Sequence, residues 1–155
     1  MGETPIRIAA VVGPTASGKT ALSVALAELM NAEIISCDSM QLYRRMEIGT
    51  AKPTAEEQSE VRHHLIDIVE PDVSFSCEDY VAYADKAIAD CVARGKMPIV
   101  CGGTGLYLDT LLRGGNSAPV ADTSAIRAAL TEKAEREGVE AIYAELMRVD
   151  RESAE

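Results

Sequence analysis

No stretch of this 155-residue chain is apolar for long enough to cross a membrane. A helical span needs about 20 such residues, and the longest runs here, Ile8–Val12 and Pro98–Cys101, fall far short of that. Met1–Arg7 lacks the basic start and apolar stretch of a secretory signal, so a cytoplasmic location is expected. The four cysteines, Cys37, Cys77, Cys91 and Cys101, show no CxxC spacing and exclude the commonest metal-binding pattern. In a reducing compartment they are expected to be free and to act as small apolar fillers. Basic residues are also scarce: 15 lysines and arginines face 25 acids, a net charge of −10. That is the wrong sign for a surface that gathers nucleic acid broadly. No internal repeat or low-complexity tract is visible.

What is present is a composition 47% hydrophobic and 26% charged, enough for one soluble domain with a proper core and an appendage. Ile6–Val12 reads as a buried strand closed by Gly13-Pro14, and Lys19–Met30 repeats Leu22, Ala25, Leu26 and Leu29 at helical spacing. Glu33–Cys37 is a second strand, ending in Asp38. His64–Val69 reads as another, and Ile99–Cys101 as one more, entered from Arg94–Pro98 and left through Gly102-Gly103. Between them the pattern predicts a loop at Gly49–Pro53, a short helix at Thr54–Val61, and a longer helix over Cys77–Arg94 with Tyr80, Ala84, Ala87, Ile88 and Cys91 on one face. Strands alternating with helices give an α/β fold, a parallel sheet covered on both faces, with its ligand at the carboxyl ends of the strands. After Gly114-Gly115-Asn116 the texture changes to the acidic, alanine-rich helical segments Asp122–Glu137 and Val139–Asp150. A boundary is expected there, between residues 1–116 and 117–155, and the acidic helices are expected to be solvated. The terminus at Arg151–Glu155 carries no stop signal and looks cut.

The chemistry concentrates in Gly13-Pro14-Thr15-Ala16-Ser17-Gly18-Lys19-Thr20, which fits the P-loop pattern G-x-x-x-x-G-K-[ST]. Its glycines let the backbone curl until successive N–H groups point at one anion. The helix that begins at Lys19 adds its positive end. Lys19 supplies a full charge, and the Thr20 hydroxyl can ligate Mg2+. Asp38, at the end of the next strand, should face the same cleft; position alone leaves a turn-capping aspartate, a magnesium-organising acid and a catalytic base equally open. Gly102–Tyr107 follows another strand and would aim backbone N–H groups and the Thr104 hydroxyl at that cleft, unless it is a plain strand-to-helix turn. His63-His64 hints at a metal, but adjacent residues on an extended segment point to opposite faces and no third ligand is evident.

Five blocks, the P-loop, Asp38–Arg44, Ile48–Pro53, His63–Asp67 and Gly102–Tyr107, stand in an order and spacing that closely resemble the bacterial tRNA dimethylallyltransferase family, the isopentenyl-diphosphate:tRNA transferases. The match is strong from Ile8 to about Gly114. Arg127 and the stretch Val149–Ala154 resemble, more weakly, the beginning of the family's helical insertion domain. The resemblance implies a P-loop NTPase-like core in which the loop holds the pyrophosphate of dimethylallyl diphosphate rather than ATP. It implies that the acceptor is N6 of adenine 37 in tRNAs that read codons beginning with U, and that the adenine leaves its stack to enter a channel through the protein. On this reading Asp38 is the general base at N6. Ser39, Met40 and Gln41, with Thr104 and Arg127, contact the tRNA, and Thr104 lies near the bridging oxygen of the pyrophosphate. Mg2+ is the implied cofactor, and a monomer is expected.

The family's C-terminal half is absent, so this piece is expected to fold and bind pyrophosphate but to modify tRNA poorly or not at all. A cationic surface would then lie largely outside it, with Arg44, Arg45, Lys52 and Arg127 as local candidates. The competing readings are a P-loop small-molecule kinase, which would use Asp38 to activate a hydroxyl, an adenylate isopentenyltransferase acting on free AMP or ADP, and a non-catalytic nucleotide-binding module. No arginine-rich lid segment supports the kinase.

Overall fold

The computed structural model describes residues 6–113 and 123–155, which fall into two compact units divided after Asn116. The Gly114–Asn116 segment lies outside the described residues. In the first unit β1 (Ala9–Val12), α1 (Lys19–Met30), β2 (Ala32–Cys37), α2 (Ala55–Glu60), β3 (His63–His64), α3 (Cys77–Ala93), β4 (Met97–Gly102) and α4 (Gly105–Leu112) follow in chain order. The four strands form one parallel sheet in the order β1-β4-β2-β3.

The central strand β2 is buried at every residue, which is why it reads as an apolar run rather than an alternating one. Its Ile34 packs with Val24 and Ala27 of α1 and Ile99 of β4. Ile35 and Cys37 point the other way, into a cluster with Val100 of β4, Tyr80, Ala84 and Ile88 of α3, and Tyr107 and Leu111 of α4. Helices therefore cover both faces, as expected for the α/β class. Tyr80 and Tyr107 stack with ring centroids 4.3 Å apart, joining α3 to α4.

Local signals set the helix ends. Thr54 and Ser76 each accept the amide of the residue three positions on and receive its carboxylate in return, at Glu57 and Asp79, closing capping boxes on α2 and α3. Asn31 ends α1 in the left-handed conformation, with its N–H on the Ala27 carbonyl.

One expected strand is much shorter than the sequence suggests. Of His64–Val69, only His64 belongs to the ladder; Leu65 and Asp67 take φ of 62° and 55°, and the chain returns as a turn whose Val69 makes a lone bridge to Tyr43. Left-handed residues cannot continue a ladder, and their β-branched neighbours Ile66, Ile68 and Val69 disguised the break.

The second unit contains α5 (Ser124–Glu137), α6 (Val139–Val149) and α7 (Arg151–Ala154). The Lys133 ammonium meets the Glu145 carboxylate across α5 and α6 at 2.5 Å.

Candidate active site

The P-loop leaves β1 after Val12 and re-enters regular structure at α1. Gly18 sits at φ 81°, which suits glycine, and Ala16 at 63°, which a residue with a Cβ adopts only at a cost of about 1 kcal/mol. Lys19 Nζ donates to the Pro14 carbonyl at 2.6 Å, so the loop holds its own ammonium across its mouth.

Strand alternation then selects what faces the loop. Ile34, Ser36 and Asp38 lie two residues apart on the α1 side of β2. Together with Thr15–Ala21 and Ser23, with Cys101 of β4, and with His63, Ala51, Pro53 and Glu57 they line a cavity of about 290 Å³. The P-loop residues Thr15, Ala16, Ser17, Gly18, Lys19 and Thr20 thus share one space with Asp38. The Asp38 Oδ1 accepts from the amides of Met40 at 2.9 Å and Gln41 at 3.4 Å, so the aspartate caps its own turn and also faces the cavity. Two of the three readings left open by position are therefore compatible in one residue.

Thr104 is placed differently. With Gly13 and Pro14 it lines an adjoining cavity of about 200 Å³. Its Oγ1 accepts from the Ser39 amide at 3.0 Å and donates to Ser39 Oγ at 3.4 Å, while its own amide donates to the Cys37 carbonyl at 3.1 Å. The threonine ties the exit of β4 to the exit of β2. That approach requires glycine at position 102, where a Cβ would lie 2.0 Å from the Cys37 carbonyl oxygen. Residues of the loop, together with Gly102, border both cavities.

Several expected contacts are already engaged. The Gln41 amide nitrogen donates to the carbonyls of Thr50 and Ala51, at 3.3 and 3.0 Å, and its oxygen accepts from Ser36 Oγ at 2.9 Å. This side chain pins the Gly49–Pro53 loop over the cavity. Lys52 is buried on Asp67 at 2.6 Å and on the Tyr43 carbonyl at 3.0 Å, so it offers no surface charge. Arg44 and Arg45 both pair with Glu70, although they stay exposed and can exchange that partner. Ser39 stands with Thr104, and Met40 is exposed.

In the second unit Arg127 lines a separate groove with Ile126, Leu130, Thr131, Ala134, Val139 and Ile142. The helices there are not simply solvated polar faces, since Val139, Tyr143, Leu146 and Val149 leave an apolar stripe exposed on α6.

Sequence reading missed two groups of residues. Ser23 and His63 bring polar atoms to the inner wall of the larger cavity, and a serine inside a helical repeat or a histidine in a polar pair carries no signal for that. The second group is at the opposite end of β2, where buried Glu33 receives Arg94 through two bonds of 2.5 and 2.6 Å and His64 at 2.7 Å. These donors, Arg94 foremost, hold its carboxyl down at about 2 against burial. Cys91 Sγ lies 3.6 Å from both Glu33 and His64, and burial pushes its thiol up to about 11. Glu33, His64 and Cys91 lie close enough for a metal, and the Arg94 guanidinium is already bonded to both Glu33 oxygens there. The two adjacent histidines do diverge: His64 turns to Glu33, and His63 to the cavity.

A model of the IPP transferase family matches residues 41–155. The chain is 54% identical over 145 residues to a tRNA dimethylallyltransferase of Roseiflexus castenholzii, covering 94% of this chain and 47% of that protein. It is 52% identical over 150 residues to that of Anaeromyxobacter dehalogenans, covering 97% and 49%. Among solved structures, the tRNA isopentenylpyrophosphate transferase of Bacillus halodurans superposes with a TM-score of 0.72 at 43% identity, covering 97% of this chain and 50% of that one. A eukaryotic dimethylallyltransferase that acts on tRNA gives 0.78 at 32% identity, covering 97% and 37%. The chain spans about half the length of the curated relatives it matches.

Proposed function

The chain belongs to the IPP transferase family, and from that premise we propose that it is the donor-holding part of a tRNA dimethylallyltransferase. The observation that carries the reading is the shared cavity: an anion cradle and a carboxylate, Asp38, line one space. The donor is dimethylallyl diphosphate, the acceptor is N6 of adenine 37 in tRNAs reading codons that begin with U, and the protein is a monomer in the cytoplasm. The names of the relatives support the transfer of a dimethylallyl group to tRNA.

Each side chain then has a task. The inward amides of the P-loop and the amino end of α1 receive the diphosphate, and Lys19 leaves the Pro14 carbonyl to hold it. The exocyclic nitrogen of adenine is a poor nucleophile because its lone pair is delocalised. Asp38 accepts its proton as the carbon–nitrogen bond forms and the carbon–oxygen bond to diphosphate breaks. Thr104, which lines the second cavity with Gly13 and Pro14, would turn its hydroxyl from Ser39 to the charge developing on the bridging oxygen. Thr20 lines the cavity beside the cradle and offers the hard oxygen that suits Mg2+, which when bound would neutralise the departing diphosphate. Ser39, Met40 and Arg127 are the tRNA contacts this chain would contribute, with Gln41 acting through the loop it pins.

Thermal unfolding with added ligand tests the assignment. Dimethylallyl diphosphate and inorganic pyrophosphate should each raise Tm, the prenyl donor at lower concentration than ATP. Preferential stabilisation by ATP would favour a phosphoryl-transfer enzyme and remove the prenyl assignment.

A further inference from the structure

Two polar atoms below the P-loop have no hydrogen-bond partner among the described residues: Ser23 Oγ of α1 and His63 Nε2 of β3. Ser23 is fully buried, and the Cys101 sulfur beside it, the one group its hydroxyl can donate to, is a weak acceptor that leaves the Oγ lone pairs open. His63 places Nδ1 2.8 Å from the Val61 carbonyl, which can only accept, so Nδ1 carries the hydrogen. Burial favours the neutral ring, and in that ring Nε2 is an acceptor with an open lone pair. Ile34 pairs with His63 across the sheet and shares a face with Asp38 four residues on, so the imidazole lies roughly 13 Å beneath the carboxylate. Leaving either atom unmatched costs at least a lost hydrogen bond, and both line the same polar cavity, which has room for a small occupant.

We propose that the inner end of this cavity is a hydroxyl subsite, in which a seated O–H group donates to His63 Nε2 and exchanges a hydrogen bond with Ser23 Oγ. Neutral partners of this kind disfavour an anion. A metal ion would need more ligands than the lone Nε2 offers: among the described residues His63 belongs to no cluster of three metal-ligating side chains, and the Glu57 Oε2 that α2 brings to this wall accepts from the Thr54 amide and hydroxyl. The hydroxyl can come from an ordered water or from the far end of an isoprenoid tail whose diphosphate sits on the P-loop; the second source rests on the donor proposed above.

Nitrogen NMR of the His63 ring in this chain tests the subsite, together with titration of dimethylallyl diphosphate and its terminally hydroxylated counterpart. The hydroxyl subsite requires the nitrogen shift of a hydrogen-bonded acceptor at Nε2, in the free protein or in a donor complex, and a return toward the bare-acceptor shift in Ser23→Ala. If the hydroxylated donor binds about tenfold tighter, the worth of one added hydrogen bond, and Ser23→Ala or His63→Phe erases that preference, the tail is the source. If both donors bind alike and the free protein already shows the bonded shift, the source is water. Should neither donor bind, the donor assignment fails, while the free-protein shift still decides the subsite. A bare-acceptor shift in the free protein and in every complex formed would overturn it.

Discussion

At its amino end β2 carries Glu33, a buried carboxylate surrounded by a guanidinium and an imidazole, whereas four residues beyond Ile34 the same strand hands over to Asp38, which uses one oxygen on its own turn and faces a cavity. The first end is satisfied. The second holds a strained Ala16 and an ammonium parked on a loop carbonyl, while the unmatched atoms of Ser23 and His63 lie deeper in the same cavity, on the α1 face of the sheet. One strand thus separates stabilising polar chemistry from spare polar chemistry, at the edge where an α/β sheet binds its ligands. The contrast teaches that a buried charge becomes structural when its partners close around it, and is available for binding when they do not.

The strongest way to break the comparison is to open the satisfied end. Arg94→Met leaves the Glu33 carboxylate buried with only His64 and the more distant Arg62, 4.0 Å away, to compensate it, and should lower the free energy of unfolding by about 3 kcal/mol in urea titration. Pyrophosphate affinity should be unaltered, because the two ends share no side chain. A parallel loss of both would show that they are not separable.

Lys19→Ala tests the open end in the converse sense. The ammonium contacts only the Pro14 carbonyl among the described residues, so Tm should hold. Pyrophosphate affinity by calorimetry should fall on the order of 100-fold, the worth of hydrogen bonds to a charged group. If Tm falls with it, the lysine is a structural strap.

Acid sharpens the same contrast. Glu33 has its carboxyl lowered from 4.5 to about 2 in the folded chain. A lowered folded value contributes stability that is fully present above pH 4.5 and is lost as the pH falls toward about 2. The unfolding free energy should therefore decline by roughly 2–3 kcal/mol more across that window in the wild type than in Glu33→Gln, each followed by its own urea midpoint. Equal slopes would mean that the carboxylate gains nothing from its partners.

How much of this was legible in the sequence follows the same division. The P-loop was readable because its spacing is itself the chemistry, and β2 because a run of β-branched residues bounded by turns has few other solutions. Asp38 was placed correctly at the cavity by its position after the strand. Glu33 passed unnoticed, yet a charge inside a strand buried on both faces demands a partner, and that demand was the available signal. Its partners were not available, since Arg94 looked like a helix end and His64 like a strand. Thr104 was expected in the cleft and lines an adjoining cavity with Gly13 and Pro14, because β2 and β4 exit too close together to leave room for a Cβ at Gly102, which the sequence does not show. His63 and Ser23 are joined by tertiary packing alone.

The smallest expected effect concerns Ala16, whose φ of 63° is a left-handed conformation uncommon for a residue with a Cβ. Glycine removes the Cβ clash, worth about 1–2 kcal/mol, but widens the unfolded ensemble by about 0.4–1 kcal/mol. Ala16→Gly should therefore stabilise the chain by only about 0.5 kcal/mol, seen as a small rise in the urea midpoint. Pyrophosphate affinity should be retained, since the amides keep their direction. If the variant is instead destabilised, the left-handed turn is not strained in the free protein, and the open end of β2 holds less stored energy than its geometry implies.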